Sequence, residues 1–379
     1  MLICPDAFKH SLSAWEAGKN LASGLKQVVS EATVNILPLA DGGEGTVKAL
    51  VDATKGSLIQ TRVHDPLMRQ TTASFGILGD GHTAAIEMAA ASGIELLKPN
   101  ERDPLQTTSY GTGELIRAAL DHQCTRIILG IGGSATIDGG AGLLAGLGAT
   151  FLSDEQKVLT PSGGNLDRIR HINLDNLDTR LKKTRIQIGT DVDNPLTGDQ
   201  GAATVYGPQK GAGPKEVSQL EHNLQCYAKL LEKVTGKNFQ TLPSSGAAGG
   251  LAISLLAFTP ASLKSGFQVI AEQTDLEKHI AQSDLIITGE GKIDRQTRYG
   301  KTAYGVAQLA KKHHKPVIAV AGAIGEGTGE LYNHGFDLIL PIINRPMELQ
   351  QALQDAPKLL EMTGMRIGKI IKLTWIIHK

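Results

Sequence analysis

Cysteine is scarce in this chain, with three among 379 residues. Cys4, Cys124 and Cys226 lie far apart and form no Cys-x-x-Cys pair, which excludes a disulfide framework and a thiolate zinc site. Net charge is missing as well. Lys plus Arg and Asp plus Glu each number 38, so there is no electrostatic footprint for nucleic acid or an anionic membrane. Long apolar runs are also absent. The segment 239–263 lacks charge, but Pro243, Gly246, Gly249, Gly250 and Pro260 interrupt it. Its apolar stretch, 251–258, falls far short of the roughly 20 residues of a spanning helix. The N-terminus shows no basic region followed by an apolar core, so no signal peptide is read there. These absences lead to the expectation of a reducing, cytoplasmic setting with neither nucleic acid nor membrane as partner. They leave the state of any homo-oligomer open.

Familiar catalytic motifs are missing too. Gly300-Lys301-Thr302 supplies the second half of a phosphate-binding P-loop, but Arg295 stands where the first glycine is needed. Gly130-Ile131-Gly132 is followed by Gly133, Ser134 and Ala135, which breaks the dinucleotide fingerprint and argues against a Rossmann dehydrogenase. Thr136 breaks the Gly-x-Ser-x-Gly nucleophile elbow. The protein-kinase signature set does not occur.

Glycine is abundant instead, 44 residues against a usual share of about 7%. The glycines cluster without a collagen-like period, as expected where backbone must approach a ligand. Around them runs a repeating rhythm of a short apolar run, a glycine turn and a helix-like segment. Residues 33–39, 126–131, 186–190, 284–288, 316–322 and 336–342 read as strands, the fourth followed by a turn at Gly289-Glu290-Gly291. Continuous apolar strands alternating with helices predict an α/β protein whose mostly parallel sheet is covered on both faces. At this length two domains are the natural expectation. The strand–turn–helix units at both chain ends suit one doubly wound domain, 1–64 plus 283–379, with 65–282 inserted.

In open α/β sheets ligands bind where strands end, and the strand ends here carry acids and lysines. Asp41 and Glu44, Asp138, Asp191 and Asp193, and Glu290 and Asp294 stand beside glycines. Lys9, Lys210, Lys292 and Lys301 accompany them. Backbone N–H groups at glycine turns attract anions, lysines add point charges, and carboxylates hold Mg²⁺. These are the materials of phosphoryl transfer, which is mostly positioning and charge neutralisation. Taken singly, a glycine cluster is more often a tight turn and a lone lysine a solvated surface residue. The Asp191/Asp193 pair stands out, since alternation puts both carboxylates on one side of an extended segment. Two like charges so close need a cation or a proton between them.

Eight runs, in order, resemble the bacterial glycerate kinase family, glycerate 2-kinases included. They are Pro5-Asp6-Ala7-Phe8-Lys9, the segment 38–46 around Asp41-Gly42-Gly43-Glu44-Gly45, Ser109-Tyr110-Gly111-Thr112-Gly113-Glu114, and Gly130 to Gly140. Then come Asp191 to Leu196, Gly207-Pro208-Gln209-Lys210-Gly211, Gly289 to Asp294, and Gly300-Lys301 with Gly305-Val306-Ala307. The first strand is short for the family, and Ala7 stands where a serine is common. The resemblance implies two α/β domains, one discontinuous, with the active site in the cleft between them. It also implies ATP, Mg²⁺ and D-glycerate, with 2-phosphoglycerate favoured over 3-phosphoglycerate as product. On matching positions, Asp191 and Asp193 are candidates to hold Mg²⁺, and Asp191 to take the hydroxyl proton. Lys9 and Lys292 would neutralise the transferring phosphate. Gly132, Gly133, Ser134 and Lys301 would meet the nucleotide. Asp41, Glu44, Asp294, Gly111, Thr112, Lys210 and Arg295 would meet the substrate. The glycine–carboxylate machinery does not fix the acceptor, so a kinase of another small hydroxy acid or sugar acid, or a non-catalytic nucleotide sensor, stays as an alternative.

Overall fold

The computed structural model describes residues 1–43, 45–298 and 302–377, with side chains up to 373. Among these, the strands are β1 (Leu2–Ile3), β2 (Asn35–Ile36), β3 (Ser57–His64), β4 (Gln70–Ile77), β5 (Thr83–Glu87), β6 (Arg126–Gly130) and β7 (Thr150–Leu152). They continue with β8 (Val158–Leu159), β9 (His171–Asn173), β10 (Arg185–Gly189), β11 (Ala261–Lys264), β12 (Ile286–Ile293), β13 (Val317–Ile324) and β14 (Leu338–Pro341). The chain divides into two compact units. A terminal unit comprises Met1–Asp41, Lys48–Thr54 and Phe267–Lys379, and an inserted unit comprises Gly42–Val47 and Lys55–Gly266. The class is α/β, as the sequence rhythm predicts.

The junctions differ from those expected at 64/65 and 282/283. Strand β3 pairs antiparallel with β4 from Ser57–Ile77 to His64–Gln70, which commits residues 57–64 to the inserted sheet. At the other junction the ring of Phe267 lies where a Cβ on Gly305 would sit, 2.3 Å away, so this aromatic packs on the helix Thr302–Lys312 of the terminal unit. Gly42–Val47 joins the inserted unit because the Glu87 carboxylate, at the end of β5, accepts the Val47 N–H at 2.8 Å.

In the terminal unit one parallel sheet runs β14-β13-β12-β1-β2. Its core gathers Ile3, Ile287, Ile318 and Val320 from the strands with Leu21, Leu25, Leu359 and Leu360 from two helices. Those helices, Ala14–Val28 and Leu349–Ile377, press backbone to backbone: a Cβ on Gly24 would lie 1.8 Å from the Glu361 carbonyl. Ser13 starts the first of them with a capping box. Its hydroxyl accepts from Glu16 N, and Glu16 accepts the Ser13 N–H. Strand β2 is shorter than the run 33–39 suggests. Pro5 has no N–H to give on the β2 side, so one rung is lost just past Ile3, although Leu39 N still donates to the Pro5 carbonyl at 3.0 Å and Asp6 N to the Gly289 carbonyl of β12 at 2.8 Å. Strand β12 runs the other way, on through Gly289-Glu290-Gly291 to Ile293 rather than turning there. Gly289 pairs with Val320 of β13, whose carbonyl lies 2.3 Å from where a Cβ would be, so glycine marks close strand approach here rather than a turn.

In the inserted unit a six-stranded sheet runs β11-β10-β6-β5-β4-β3. The first four strands are parallel, and β4 and β3 add an antiparallel ribbon. A small antiparallel sheet, β8-β7-β9, stands apart from it. Two apolar clusters fill this unit, one around Phe75, Ile86, Leu129 and Ile188, the other around Phe151, Leu224 and Tyr227. No helix among the described residues is long and apolar enough to cross a membrane.

Candidate active site

In the terminal unit, acids gather at the carboxyl ends of neighbouring strands. Asp6 follows β1 and is almost fully buried. Its Oδ2 accepts from Thr302 Oγ1 at 2.6 Å and its Oδ1 from Ala7 N at 2.6 Å. Burial, then the negative charges of Asp41 and Glu290, push the Asp6 carboxyl up to about 7, against the pull of those two hydrogen bonds. Glu290, on β12, is also buried and accepts from Thr297 Oγ1 at 3.0 Å. Lys292, two residues on and exposed, pairs with Asp294 at 2.8 Å. That hydrogen bond and the charge of Asp294 hold the ammonium above the usual lysine range. Gly325 fits here only as glycine, because a Cβ would lie 2.7 Å from Asp294 Cβ. The Lys9 backbone runs beside β12, its nitrogen 3.6 Å from a Cβ built on Gly291. Lys9, Lys292, Asp41 and Asp294 thus share one edge of this unit with Asp6 and Glu290. Arg295 turns elsewhere: its guanidinium is 3.5 Å from Glu330, its side chain 64% exposed. Glu44 and Lys301 lie outside the described residues.

In the inserted unit the carboxyl ends of β6, β10 and β11 meet the Gly42–Gly43 loop through glycine alone. A Cβ on Gly130 would lie 2.6 Å from the Gly42 carbonyl, one on Gly132 3.2 Å from Gly43 Cα, and one on Gly189 3.3 Å from Gly266 Cα. Gly42 and Gly133 adopt φ of +92° and +73°, a region other residues rarely enter. The result is a wall of backbone with Gly132 and Gly133 exposed above it. Asp191 and Asp193 are exposed just past β10. Asp191 Oδ1 accepts from Gly266 N at 3.1 Å, and Asp193 Oδ1 from Ser244 Oγ at 3.4 Å.

The helix Tyr110–Asp121 was expected to offer its N-terminus to a substrate carboxylate, and the structure closes it. Asp138, fully buried, occupies that anion position: its Oδ2 accepts from Ser109 N and Ser109 Oγ, both at 2.7 Å, and its Oδ1 from Gly140 N at 3.0 Å. Burial raises this carboxyl while those hydrogen bonds lower it, and burial prevails. Thr112 is buried with its hydroxyl 2.7 Å from Ser92 Oγ. A Cβ on Gly111 would lie 1.9 Å from the His64 carbonyl, so that glycine serves helix packing. Lys210 is likewise not open to a substrate. It is 3% exposed, and its Nζ donates to Ser134 Oγ at 2.6 Å and to the Thr136 carbonyl at 2.8 Å. Burial pulls its ammonium down to about 7, with the charge of Asp138 opposing.

Asp6, Thr302 and Thr297 were not singled out from the sequence as site residues. Asp6 sits inside the Pro5-to-Lys9 run and Thr302 just after Gly300-Lys301, so the motifs flagged their neighbourhood. Their partnership spans 296 positions and has no local signature.

Among the described residues no three His, Cys, Asp or Glu side chains are grouped to hold a metal ion. Two carboxylates nevertheless suit Mg²⁺, which keeps several waters and takes its remaining oxygens from phosphates. Asp191 and Asp193 have that chemistry.

Comparison with known proteins agrees over the full length. The family model of the glycerate kinase family matches residues 1–372. A glycerate kinase of Bacillus subtilis (strain 168) is 46% identical over 373 residues, covering 98% of each chain. A glycerate 2-kinase of Escherichia coli (strain K12) is 45% identical over 356 residues, 94% of this chain and 93% of its own. A crystal structure assigned to glycerate kinase 2 of Salmonella typhimurium LT2 superposes with a TM-score of 0.91 at 43% identity, covering 99% of this chain and 98% of that one. The glycine-walled loops, the strand-end acids and these likenesses, each spanning nearly the whole chain, lead to one statement: the chain belongs to the glycerate kinase family.

Proposed function

We propose that this enzyme transfers the terminal phosphoryl group of ATP to the 2-hydroxyl of D-glycerate, with Mg²⁺ bound, giving 2-phosphoglycerate. The observation that carries the reading is the glycine wall at the ends of β6, β10 and β11, with Gly132 and Gly133 exposed and two carboxylates on the next loop. Backbone N–H groups in such a wall suit a polyphosphate, whose oxygens need many weak donors at close range. Asp191 and Asp193 would hold Mg²⁺, which when bound supplies charge neutralisation at phosphate oxygens. Asp191 is also the candidate to accept the hydroxyl proton as the new O–P bond forms. Lys9 and Lys292 bring positive charge for the transferring group. Asp41 and Asp294 contribute polar contacts to the acceptor. The three free thiols, Cys4, Cys124 and Cys226, suit a reducing cytoplasm.

Phosphorus NMR of the product made from D-glycerate and MgATP tests acceptor, donor and regiochemistry together. A single 2-phosphoglycerate signal is expected. A 3-phosphoglycerate signal would move the reaction to the other hydroxyl, and ATP binding without turnover on any hydroxy acid would leave a nucleotide sensor.

A further inference from the structure

Lys210 reaches neither solvent nor an open surface, yet its charge has a specific destination. An ammonium has three donors and no acceptor. Two of those donors are used, one by Ser134 Oγ at 2.6 Å and one by the Thr136 carbonyl at 2.8 Å. Because Ser134 accepts from Lys210, its own hydroxyl proton has nowhere to go on that side. No acceptor for it occurs among the described residues, and Ser134 is only 7% exposed. A buried donor without a partner is uncommon and asks for an explanation.

The surrounding loop is held in place by its backbone. Ile94 N donates to the Gly133 carbonyl at 2.9 Å, Ala135 N to the Ser92 carbonyl at 2.9 Å, and Ser134 bridges Gly93. Ser134 therefore stays next to the exposed Gly132 and Gly133 while Lys210 fills its lone pair. We propose that Lys210 is a positioning residue that commits the Ser134 hydroxyl proton to an anionic oxygen of a bound substrate. That oxygen belongs either to a nucleotide phosphate or to the carboxylate of the acid. The inference rests on the phosphotransfer reading above and changes the role of Lys210, which does not touch substrate itself.

The direction of this hydrogen bond depends on charge. A neutral amine accepts, so deprotonated Lys210 would draw the Ser134 proton inward and take the donor from the substrate. Burial brings this ammonium to about 7. The charged neighbour bearing on it is Asp138, on the loop after β6. The protonated enzyme is then the competent one, and kcat/KM falls as pH rises through about 7.

The test is steady-state kinetics of wild type, Ser134→Ala, Lys210→Met and the double variant. ATP is varied at saturating D-glycerate, and then D-glycerate at saturating ATP. Each single change should lower kcat/KM by about 10- to 100-fold, in line with loss of one hydrogen bond to a charged oxygen. The double variant should be no worse than either single one, because Lys210 acts only through Ser134. The substrate whose KM rises identifies the anion. Ser134→Ala should also lose the fall in kcat/KM near pH 7. Should Lys210→Met not fold, the Ser134→Ala rate and pH profile decide alone. Losses that multiply in the double variant, or Ser134→Ala at wild-type rate, overturn the inference. A wild type without turnover on D-glycerate removes the reading and the inference together, whereas an active wild type matched by Ser134→Ala removes the inference alone.

Discussion

Asp6 and Lys210 lie in different units at nearly the same depth, and burial drives their proton affinities towards each other, both to about 7. Their company differs. Around Asp6 the neighbouring charges are of its own sign, Asp41 and Glu290, so field and desolvation act together against the carboxylate. Around Lys210 the neighbouring charge is opposite, Asp138, and two acceptors receive its protons, so the field resists desolvation. The terminal unit therefore concentrates negative charge at its strand ends. The inserted unit instead presents a wall of glycine backbone, with Lys210 buried behind Ser134 and the carboxylates of Asp191 and Asp193 exposed on the next loop.

The sharpest way to break this comparison asks which acid reacts. If the exposed Asp191 takes the proton, Asp191→Asn should lower kcat by about 10²- to 10⁴-fold, with the thermal midpoint nearly unchanged. Rates near wild type would shift that role to the acid cluster of the terminal unit. Next come the opposite pH slopes of stability. Asp6 binds its proton more tightly folded than unfolded, so its penalty is absent below about pH 4 and complete above about pH 7. Across that window wild type should lose on the order of 1 kcal/mol per pH unit relative to Asp6→Asn. Urea unfolding from pH 4 to 8 reads that difference, and parallel curves would refute it. Lys210 runs the other way. Its folded affinity is depressed, so its cost is complete below about pH 7 and is relieved as pH climbs towards the ordinary lysine range. Wild type should therefore gain stability over Lys210→Met between pH 7 and 10, again on the order of 1 kcal/mol per pH unit. A flat difference would mean that the ammonium is not destabilised by burial. The smallest effect is expected at Arg295, whose exposed contact with Glu330 is long. Arg295→Ala should change unfolding free energy by under about 0.5 kcal/mol, and a large loss of activity there would return Arg295 to the substrate shell.

Legibility followed the range of the interaction. The runs at 126–131 and 186–190 could be read as strands because strands covered on both faces are rich in β-branched and other apolar residues, here Ile127, Ile128, Leu129, Ile186 and Ile188. Both lie in the middle of the inserted sheet as β6 and β10. Gly289-Glu290-Gly291 misled because glycine in sequence usually marks a turn. In β12 it marks the close approach of β13, which no local pattern announces. The Gly111-Thr112 helix start looked like an anion site and is one, but the anion is the protein's own Asp138. Lys210 reads from the sequence as a substrate contact and is instead buried, since a lysine's depth depends on what folds over it.

The sequence by itself determined the α/β class, the rhythm of strands and glycine loops, and the family, because periodicity and motif order are properties of neighbouring residues. Only the tertiary structure decided which acids are buried together, which glycines carry backbone contacts, and that Lys210 donates to Ser134. Those outcomes depend on desolvation and on contacts between residues as distant as Asp6 and Thr302, and both come into being only when the chain closes on itself.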